Sequence, residues 1–329
     1  MISKLAVHLL ETPDPAELDL LRSRCDPRID LTTGTESPVG AAYEVLVAGR
    51  PRREHLTASQ ALRLLVIPYA GLPAATRELL QGFPELAVHN LHHNAALTAE
   101  MAITLMLSAA KFIVPCDRAL RSNDWRLRYH PPPALSLDGK TALILGFGQV
   151  GQRIGRACHA LGMQVLAIRR HAYRDIQLEY PADIYAPMEL ARLLPRAQVL
   201  IIALPATPVT EGLVGASELA LLPPGAVLVN IGRGPIVDQE ALYRALASGG
   251  LGAAGLDVWY RYPRSETEWG NTPPADFPFH ALDNVVLSPH RAGASTETET
   301  LRMIYLADLL NAAARGEPVP NRVDVQAGY

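Results

Sequence analysis

TALILGFGQVGQRIGRACHALGMQVLAIRR, residues 141–170, decides how this chain folds. An apolar run, 141–145, enters the turn Gly146-Phe147-Gly148-Gln149-Val150-Gly151. Val150, Ile154, Ala157, Cys158 and Leu161 then recur at helical spacing until Gly162, and a second apolar run follows. Strand, glycine-rich turn, helix and strand in that order make a dinucleotide-binding unit. Gly146 permits the tight turn, and Gly148 lets backbone amides, with those of Gln149 and Val150 beside it, approach a pyrophosphate. Gly151 lets the helix pack on the strand while its N-terminus faces the negative charge.

The end of the second strand indicates which dinucleotide. An acid about 20 residues beyond the glycines would bind the ribose 2′-hydroxyl of NAD. Here stand Arg169 and Arg170, with no Asp or Glu between Gly151 and Arg174. A guanidinium binds a 2′-phosphate bidentately where a carboxylate repels it, so NADP is expected to be preferred, with NAD possible. The weakness of the signal is compositional, because arginine is abundant and only Lys4, Lys111 and Lys140 represent lysine.

A chain of 329 residues, 49% hydrophobic and 19% charged, suggests about two soluble globular domains. A net charge of −3 supplies no basic face, so neither nucleic acid nor an anionic membrane is an expected partner. The opening MISKLAVHLLETPDP is too short in apolar residues for a signal peptide, and no run of 18 apolar residues occurs, so a cytoplasmic location is expected. Cys25, Cys116 and Cys158 fit neither a disulfide frame nor metal spacing and read as reduced packing residues.

The first hundred residues carry apolar runs at 5–10, 43–48, 64–67 and 86–89 between polar helical stretches, a second α/β unit. It lacks GxGxxG and is expected to offer a substrate-facing surface. Residues 98–120 read as one long helix that Pro115 kinks or ends, too apolar for a surface helix and therefore buried between domains or subunits. Prolines 131–133 form a stiff connection. Apolar runs at 199–204, 226–231, 255–259 and 285–288 complete a parallel, doubly wound sheet. Ligands gather at the carboxyl ends of such strands, where Pro205, Arg233, Asp257 and His290 fall. A final helix, 295–315, returns to the first domain.

Five motifs, LDGKTALILGFGQVG at 137–151, ALPATPVTEGLVG at 203–215, VNIGRGPIVD at 229–238, LDVW at 256–259 and LSPHRAG at 287–293, together resemble the D-2-hydroxyacid dehydrogenase family. That family includes glyoxylate/hydroxypyruvate reductases, phosphoglycerate dehydrogenases and formate dehydrogenase. The resemblance implies an α/β protein of two Rossmann-like, doubly wound parallel-sheet domains. A flavodoxin-like substrate domain, 1–97 with 292–329, would hold an inserted nucleotide-binding domain, 98–291. Residues 98–136 would form the helix and arm of a homodimer. It implies hydride transfer between a nicotinamide and the carbonyl carbon of a small 2-keto or D-2-hydroxy acid. It also adds Leu204, Pro205, Thr210, Ile231, Gly232, Asp257 and Gly293 to the cofactor-binding set.

The chemistry needs a cation to hold the carboxylate and polarise the carbonyl, plus an acid to protonate the alkoxide, and Arg233 and His290 can supply these. The bland alternative for Arg233 is an ion pair with Asp238 or Asp257. By the same resemblance Tyr69, Ala70, Gly71 and Leu72 present backbone amides to the substrate carboxylate, and Asn94 helps orient it. His89, His92 and His93 invite thought of a metal, but no carboxylate or cysteine completes a set and hydride transfer needs none; His92 or His93 is expected to line the cleft.

One position departs from the family. Five residues beyond the Asp of LDV, before a proline, most members place a Glu that holds and charges the catalytic histidine; here Tyr262 precedes Pro263. A carboxylate would stabilise imidazolium, whereas a neutral phenol only hydrogen-bonds, so His290 is expected to be a poorer proton donor. In the leading reading Tyr262, or Glu266 or Glu268 from the following loop, orients His290 and the chain still reduces 2-keto acids. In a second the substrate is an atypical acid, a formate-like hydride donor or a phosphonate, meeting Arg291, His92 or Tyr260. In a third the chain is a nucleotide-sensing binding protein of low turnover. Residues 261–279, rich in proline, charge and aromatics, read as an ordered loop over the cleft.

Overall fold

The computed structural model describes residues 4–172 and 177–329; the first three residues of the opening stretch, and Arg174 at the end of the acid-free stretch, lie outside them. The chain divides into two compact units, one of Met1–Asn94 with Ala294–Tyr329 and one of Ala95–Gly293.

The first unit is built on β1 (Leu5–Leu9), β2 (Ile29–Thr33), β3 (Val45–Val47), β4 (Leu64–Ile67) and β5 (Ala87–Asn90). They pair in parallel in the order β2-β1-β3-β4-β5. Every residue of β3 and β4 is buried, as a parallel sheet covered on both faces requires. Side chains alternate between those faces: Val45 and Val47 join Leu306, Leu309 and Leu310 of the C-terminal helix, while Leu46 joins Leu56, Leu80 and Val88. The C-terminal helix, Thr298–Arg315, packs here against Pro15–Arg24, so the final helix does return to the first unit. β2 escaped the sequence because its burial alternates through Asp30 and Thr32 instead of forming an apolar run.

The second unit holds β6 (Thr141–Leu145), β7 (Gln164–Ile168), β8 (Asp183–Tyr185), β9 (Val199–Ile202), β10 (Val227–Asn230), β11 (Ala253–Leu256) and β12 (Val285–Leu287). All pair in parallel in the order β12-β11-β10-β9-β6-β7-β8. The order reverses between β6 and β9, so the glycine turn that leaves β6 stands at the switch point where such sheets take ligands.

The expectation of one helix over 98–120, kinked or ended by Pro115, needs correction. The segment is two helices, Ala95–Ala110 and Ile113–Arg121, bent by 66° at Phe112, which adopts a left-handed φ of 52°. Pro115 sits in the first turn of the second helix, where its missing N–H would have no partner anyway, so it neither kinks nor ends the segment. One face of the first helix is covered within its own unit. Ala99, Ala102, Leu105, Met106 and Ala109 pack on the sheet of their own unit, so closely that a Cβ on Gly255 of β11 would stand 2.7 Å from Leu105 Cβ.

Candidate active site

The glycine turn is shaped by backbone crowding on two sides and openness on the third. Gly146 holds a φ of 95°, which only glycine adopts cheaply, and a Cβ there would come within 2.6 Å of the Ala203 carbonyl. A Cβ on Gly151 would stand 2.0 Å from the Gly146 oxygen. Gly148 caps the helix Gln149–Ala160, and a Cβ there would meet nothing within 4 Å, so the chain's own packing does not demand a glycine at that position. The space is open to the close approach of a ligand, and no acid in the first helical turn opposes an anion. Gln149 is exposed and accepts from Arg153, and Val150 is half-buried in the core. Sequence reasoning passed over Gly155, where a Cβ would meet the Tyr180 hydroxyl at 2.5 Å.

Arg169 and Arg170 follow β7 directly, with the Arg169 amide donating to the Tyr185 carbonyl at 3.0 Å. Nη1 of Arg169 is buried and lacks a hydrogen-bond partner among the described residues. Arg170 is exposed. A buried guanidinium donor beside the strand end fits a phosphorylated ribose, and the open turn at Gly148 fits a pyrophosphate. When bound, a nicotinamide dinucleotide would supply the hydride; this chain's residues would hold its phosphates.

The neighbouring strand ends lock together through the same devices. Ile231 donates to the Ile202 carbonyl at 3.1 Å, and a Cβ on Gly232 would reach 2.5 Å from the Leu204 oxygen. Thr210 is spent inside its own loop: its hydroxyl donates to the Pro205 carbonyl at 2.7 Å and accepts the Thr207 amide at 2.8 Å, so it shapes the loop from within. Asn230, which sequence reasoning did not single out, accepts from the Gly232 amide and donates to the Arg233 carbonyl, both at 3.0 Å, bracing the turn that carries Arg233. Its position as the last residue of a buried strand was the available signal.

Arg233 is exposed, donates to its neighbour's carbonyl at Gly232, and no ion pair ties it to Asp238, Asp257 or any other carboxylate among the described residues. Asp257 is 0% exposed, and its oxygens accept from Ser288 Oγ at 2.5 Å and from the Arg291 and Ala292 amides at 3.0 Å each. So held, this fully buried carboxylate anchors the loop of His290. Trp259 adds a bond from Nε1 to the Ser288 carbonyl at 2.8 Å. The result holds His290 in a left-handed φ of 56° between Pro289 and Arg291. Gly293 closes this loop half-buried.

Burial holds the His290 imidazole below its ordinary pKa, and the Arg233 charge lowers it further while Asp257 works the other way. Tyr262 leans its ring on His290, centroids 5.4 Å apart, but its hydroxyl accepts the Trp259 amide at 3.0 Å. The phenol thus supports the imidazole by contact alone. Glu266 and Glu268 do not take over: they lie in a short exposed turn, and Glu268 accepts the Arg264 amide at 2.8 Å. Tyr260 turns inward, donating to the Val237 carbonyl at 2.9 Å. The 261–279 loop is ordered by the Arg261–Asp276 ion pair and by Phe279 and Ala275 in the core.

In the first unit, Tyr69, Ala70, Gly71 and Leu72 follow β4 as a half-buried turn whose amide protons enter no hydrogen bond among the described residues. Asn90 fixes the turn by donating to the Ala70 carbonyl at 2.6 Å. Tyr69 lies across Gly49, where a Cβ would strike its hydroxyl at 2.1 Å, and burial raises its pKa. His93 is 3% exposed, and burial lowers it to about 4, with Arg302 and then His92 adding to the effect. His89 is engaged at the C-terminal segment, its Nδ1 donating to the Pro320 carbonyl at 2.7 Å. Asn94 stands half-buried at the unit's edge.

A parallel sheet with a glycine turn at its switch point, and a cation and a histidine beyond the ends of two strands that flank β11, defines a dinucleotide-binding α/β protein. The chain belongs to the D-isomer specific 2-hydroxyacid dehydrogenase family, whose NAD binding domain matches residues 103–292. A glyoxylate reductase of Aeropyrum pernix is 39% identical over 232 residues, covering 69% of this chain and 66% of the relative. One of Korarchaeum cryptofilum is 36% identical over 229 residues, covering 69% and 65%. The match thus spans just under two thirds of these relatives' length. The D-isomer specific 2-hydroxyacid dehydrogenase of Xanthobacter autotrophicus Py2, crystallised with NADPH and MES, shares the fold with a TM-score of 0.78 at 24% identity, over 99% of this chain and 100% of that one.

Proposed function

We propose that this chain transfers a hydride between NADP(H) and a small 2-keto or D-2-hydroxy acid, with NAD accepted less well. The observation that carries the reading is the pairing of Arg233 and His290 on strand ends of the unit that bears the glycine turn, close enough for the Arg233 charge to bear on the imidazole. Arg233 holds the carboxylate and polarises the carbonyl. As the carbonyl carbon gains the hydride, its oxygen takes a proton from His290 Nε2 or Nδ1, and oxidation returns it. The open amides of the 69–72 turn, with Asn94 and His93, are the first unit's own candidates for binding an anionic substrate.

Because burial lowers the His290 pKa, the proton-bearing form is populated only toward acid pH, so reduction rises as pH falls and the neutral imidazole favours oxidation at higher pH. The partnerless Arg169 donor supports NADP over NAD. Relatives named as glyoxylate reductases support a 2-keto acid over a formate-like donor or a sensor of low turnover. A homodimer is supported by Ile113, Val114, Leu120, Trp125 and Tyr129, all exposed on the helix and arm that follow the bend, and light scattering checks it. A cytoplasmic location accords with a nicotinamide cofactor and is checked by fractionation.

The test is the initial rate of NADPH and NADH oxidation with glyoxylate, hydroxypyruvate, pyruvate and phenylpyruvate from pH 5 to 8. Turnover that strengthens toward acid pH and prefers NADPH is expected. NADPH binding without turnover on any of these acids would overturn the reading.

A further inference from the structure

Arg233 and His290 do not follow neighbouring strands, because β11 runs between β10 and β12. The register pairs Asn230 with Leu256 and Leu256 with Leu287, so the last residues of the three strands stand level. Three residues beyond them come Arg233, Trp259 and His290. Trp259 therefore takes, in register, the place between the two residues assigned to the chemistry. Within the sheet, ladder hydrogen bonds hold neighbouring strands about 4.8 Å apart. Beyond the strand ends the ladder stops, and the spacing falls to side chains and close backbone packing.

Trp259 is tied on both sides. Towards the Arg233 turn its backbone presses on buried Gly234, where a Cβ would stand 2.5 Å from the Trp259 carbonyl carbon and 3.2 Å from its Cα. Two backbones meet there that no larger residue would let meet. Towards His290 its indole Nε1 donates at 2.8 Å to the carbonyl of Ser288, two residues before the imidazole. The Tyr262 hydroxyl accepts its amide at 3.0 Å, and Phe279 meets its ring edge-on, centroids 6.2 Å apart and planes at 67°. Phenylalanine would fill much of this buried space but carries no N–H to reach Ser288.

We propose that Trp259 is a positioning residue that sets the separation of Arg233 and His290, its backbone seated on Gly234 and its indole holding the His290 loop through the Ser288 carbonyl. The inference rests on the reaction proposed above. A 2-keto acid presents its carboxylate and its carbonyl oxygen at a fixed separation, so the cation and the proton donor that meet them need a fixed separation too. Asp257 grips the Ser288 hydroxyl and the two amides after His290. Trp259 takes the Ser288 carbonyl and carries the tie across to the turn that bears Arg233.

The experiment is a double-mutant cycle on the full chain with NADPH and the keto acid that wild type reduces fastest. Trp259→Phe keeps a ring and removes the N–H, and kcat is expected to fall roughly ten- to a hundredfold while NADPH affinity, read by fluorescence, stays within about twofold. In a His290→Gln background no imidazole remains to be placed, and the same change should lower kcat by less than about twofold. Gly234→Ala, which forces the two backbones apart, should repeat the pattern. An undiminished kcat in Trp259→Phe, or an equal fall with and without His290, makes Trp259 a packing residue and overturns the inference. Should both variants fail to fold, Tyr262→Phe, which strips only the acceptor from the Trp259 amide, carries the same cycle. If wild type turns over no acid, the reaction itself falls, and NMR titration of His290 judges the spacer instead. Arg233, Asp257 and Tyr262 face that imidazole, and Arg233→Gln should raise its titration midpoint more in wild type than in Trp259→Phe; an equal rise overturns the inference.

Discussion

At the strand ends of the seven-stranded unit, buried polar groups are committed to the chain itself: Asp257 takes three donors, Asn230 braces the Arg233 turn, and Thr210 closes its own loop. At the strand ends of the five-stranded unit, His93 and Arg302 keep buried atoms without partners among the described residues, and the 69–72 amides stay open. The glycines differ in the same sense. Gly151 is pressed by backbone, which cannot yield, whereas Gly49 is pressed by the movable hydroxyl end of Tyr69. Both sheets are parallel and doubly wound, with their central strands buried on two faces. One spends its polar groups on fixing a reacting constellation, and the other leaves them for whatever it receives.

The largest expected effect breaks the committed side outright. Arg233→Ala and His290→Ala should each lower kcat/KM for keto-acid reduction by roughly 10²–10⁴-fold while NADPH binding, read by fluorescence, persists. Asp257→Ala strips three donors of their acceptor without touching substrate, and a loss of about a hundredfold in kcat with a lowered melting temperature is expected. Unchanged turnover in that variant would mean that His290 is held by something other than the Asp257 network.

Arg169 carries the one buried side-chain donor of the seven-stranded unit left unmatched among the described residues, so Arg169→Ala should weaken NADPH binding roughly tenfold and leave NADH nearly untouched. Equal losses for the two cofactors would remove the support for NADP. Smallest is Tyr262→Glu. A carboxylate beside His290 stabilises imidazolium and raises its pKa, so the alkaline fall of the reduction rate should move up by about one pH unit, measured as log kcat/KM against pH. An unshifted profile would mean that the ring contact at 5.4 Å does not bring residue 262 into the electrostatics of the imidazole.

Much of this is legible in the residues alone. The 141–170 stretch specifies strand, turn, helix and strand because apolar period and glycine placement are local properties, and every apolar run read as a strand overlaps one. What failed was decided at longer range. β2 and β8 are short and half-exposed, so their pairing, and not their composition, makes them strands. The 98–120 helix breaks at Phe112 and not at Pro115 because proline is harmless in a first turn, and where a first turn falls is set by the bend. That Asp257, just beyond β11, is fully buried and takes three donors from the His290 loop is likewise decided by packing.

The sequence by itself determined the parallel α/β class, the family and the glycine turn, and it nominated Arg233 and His290 for the chemistry, because each is written in residue type and spacing along one segment. The tertiary structure alone decided that the Tyr262 hydroxyl accepts from Trp259 while only its ring meets His290, that Glu266 and Glu268 stand aside, and that Asp257 holds the His290 loop. Partnership between distant side chains depends on which strand ends and helix turns the packing brings together, and a linear pattern carries no record of that.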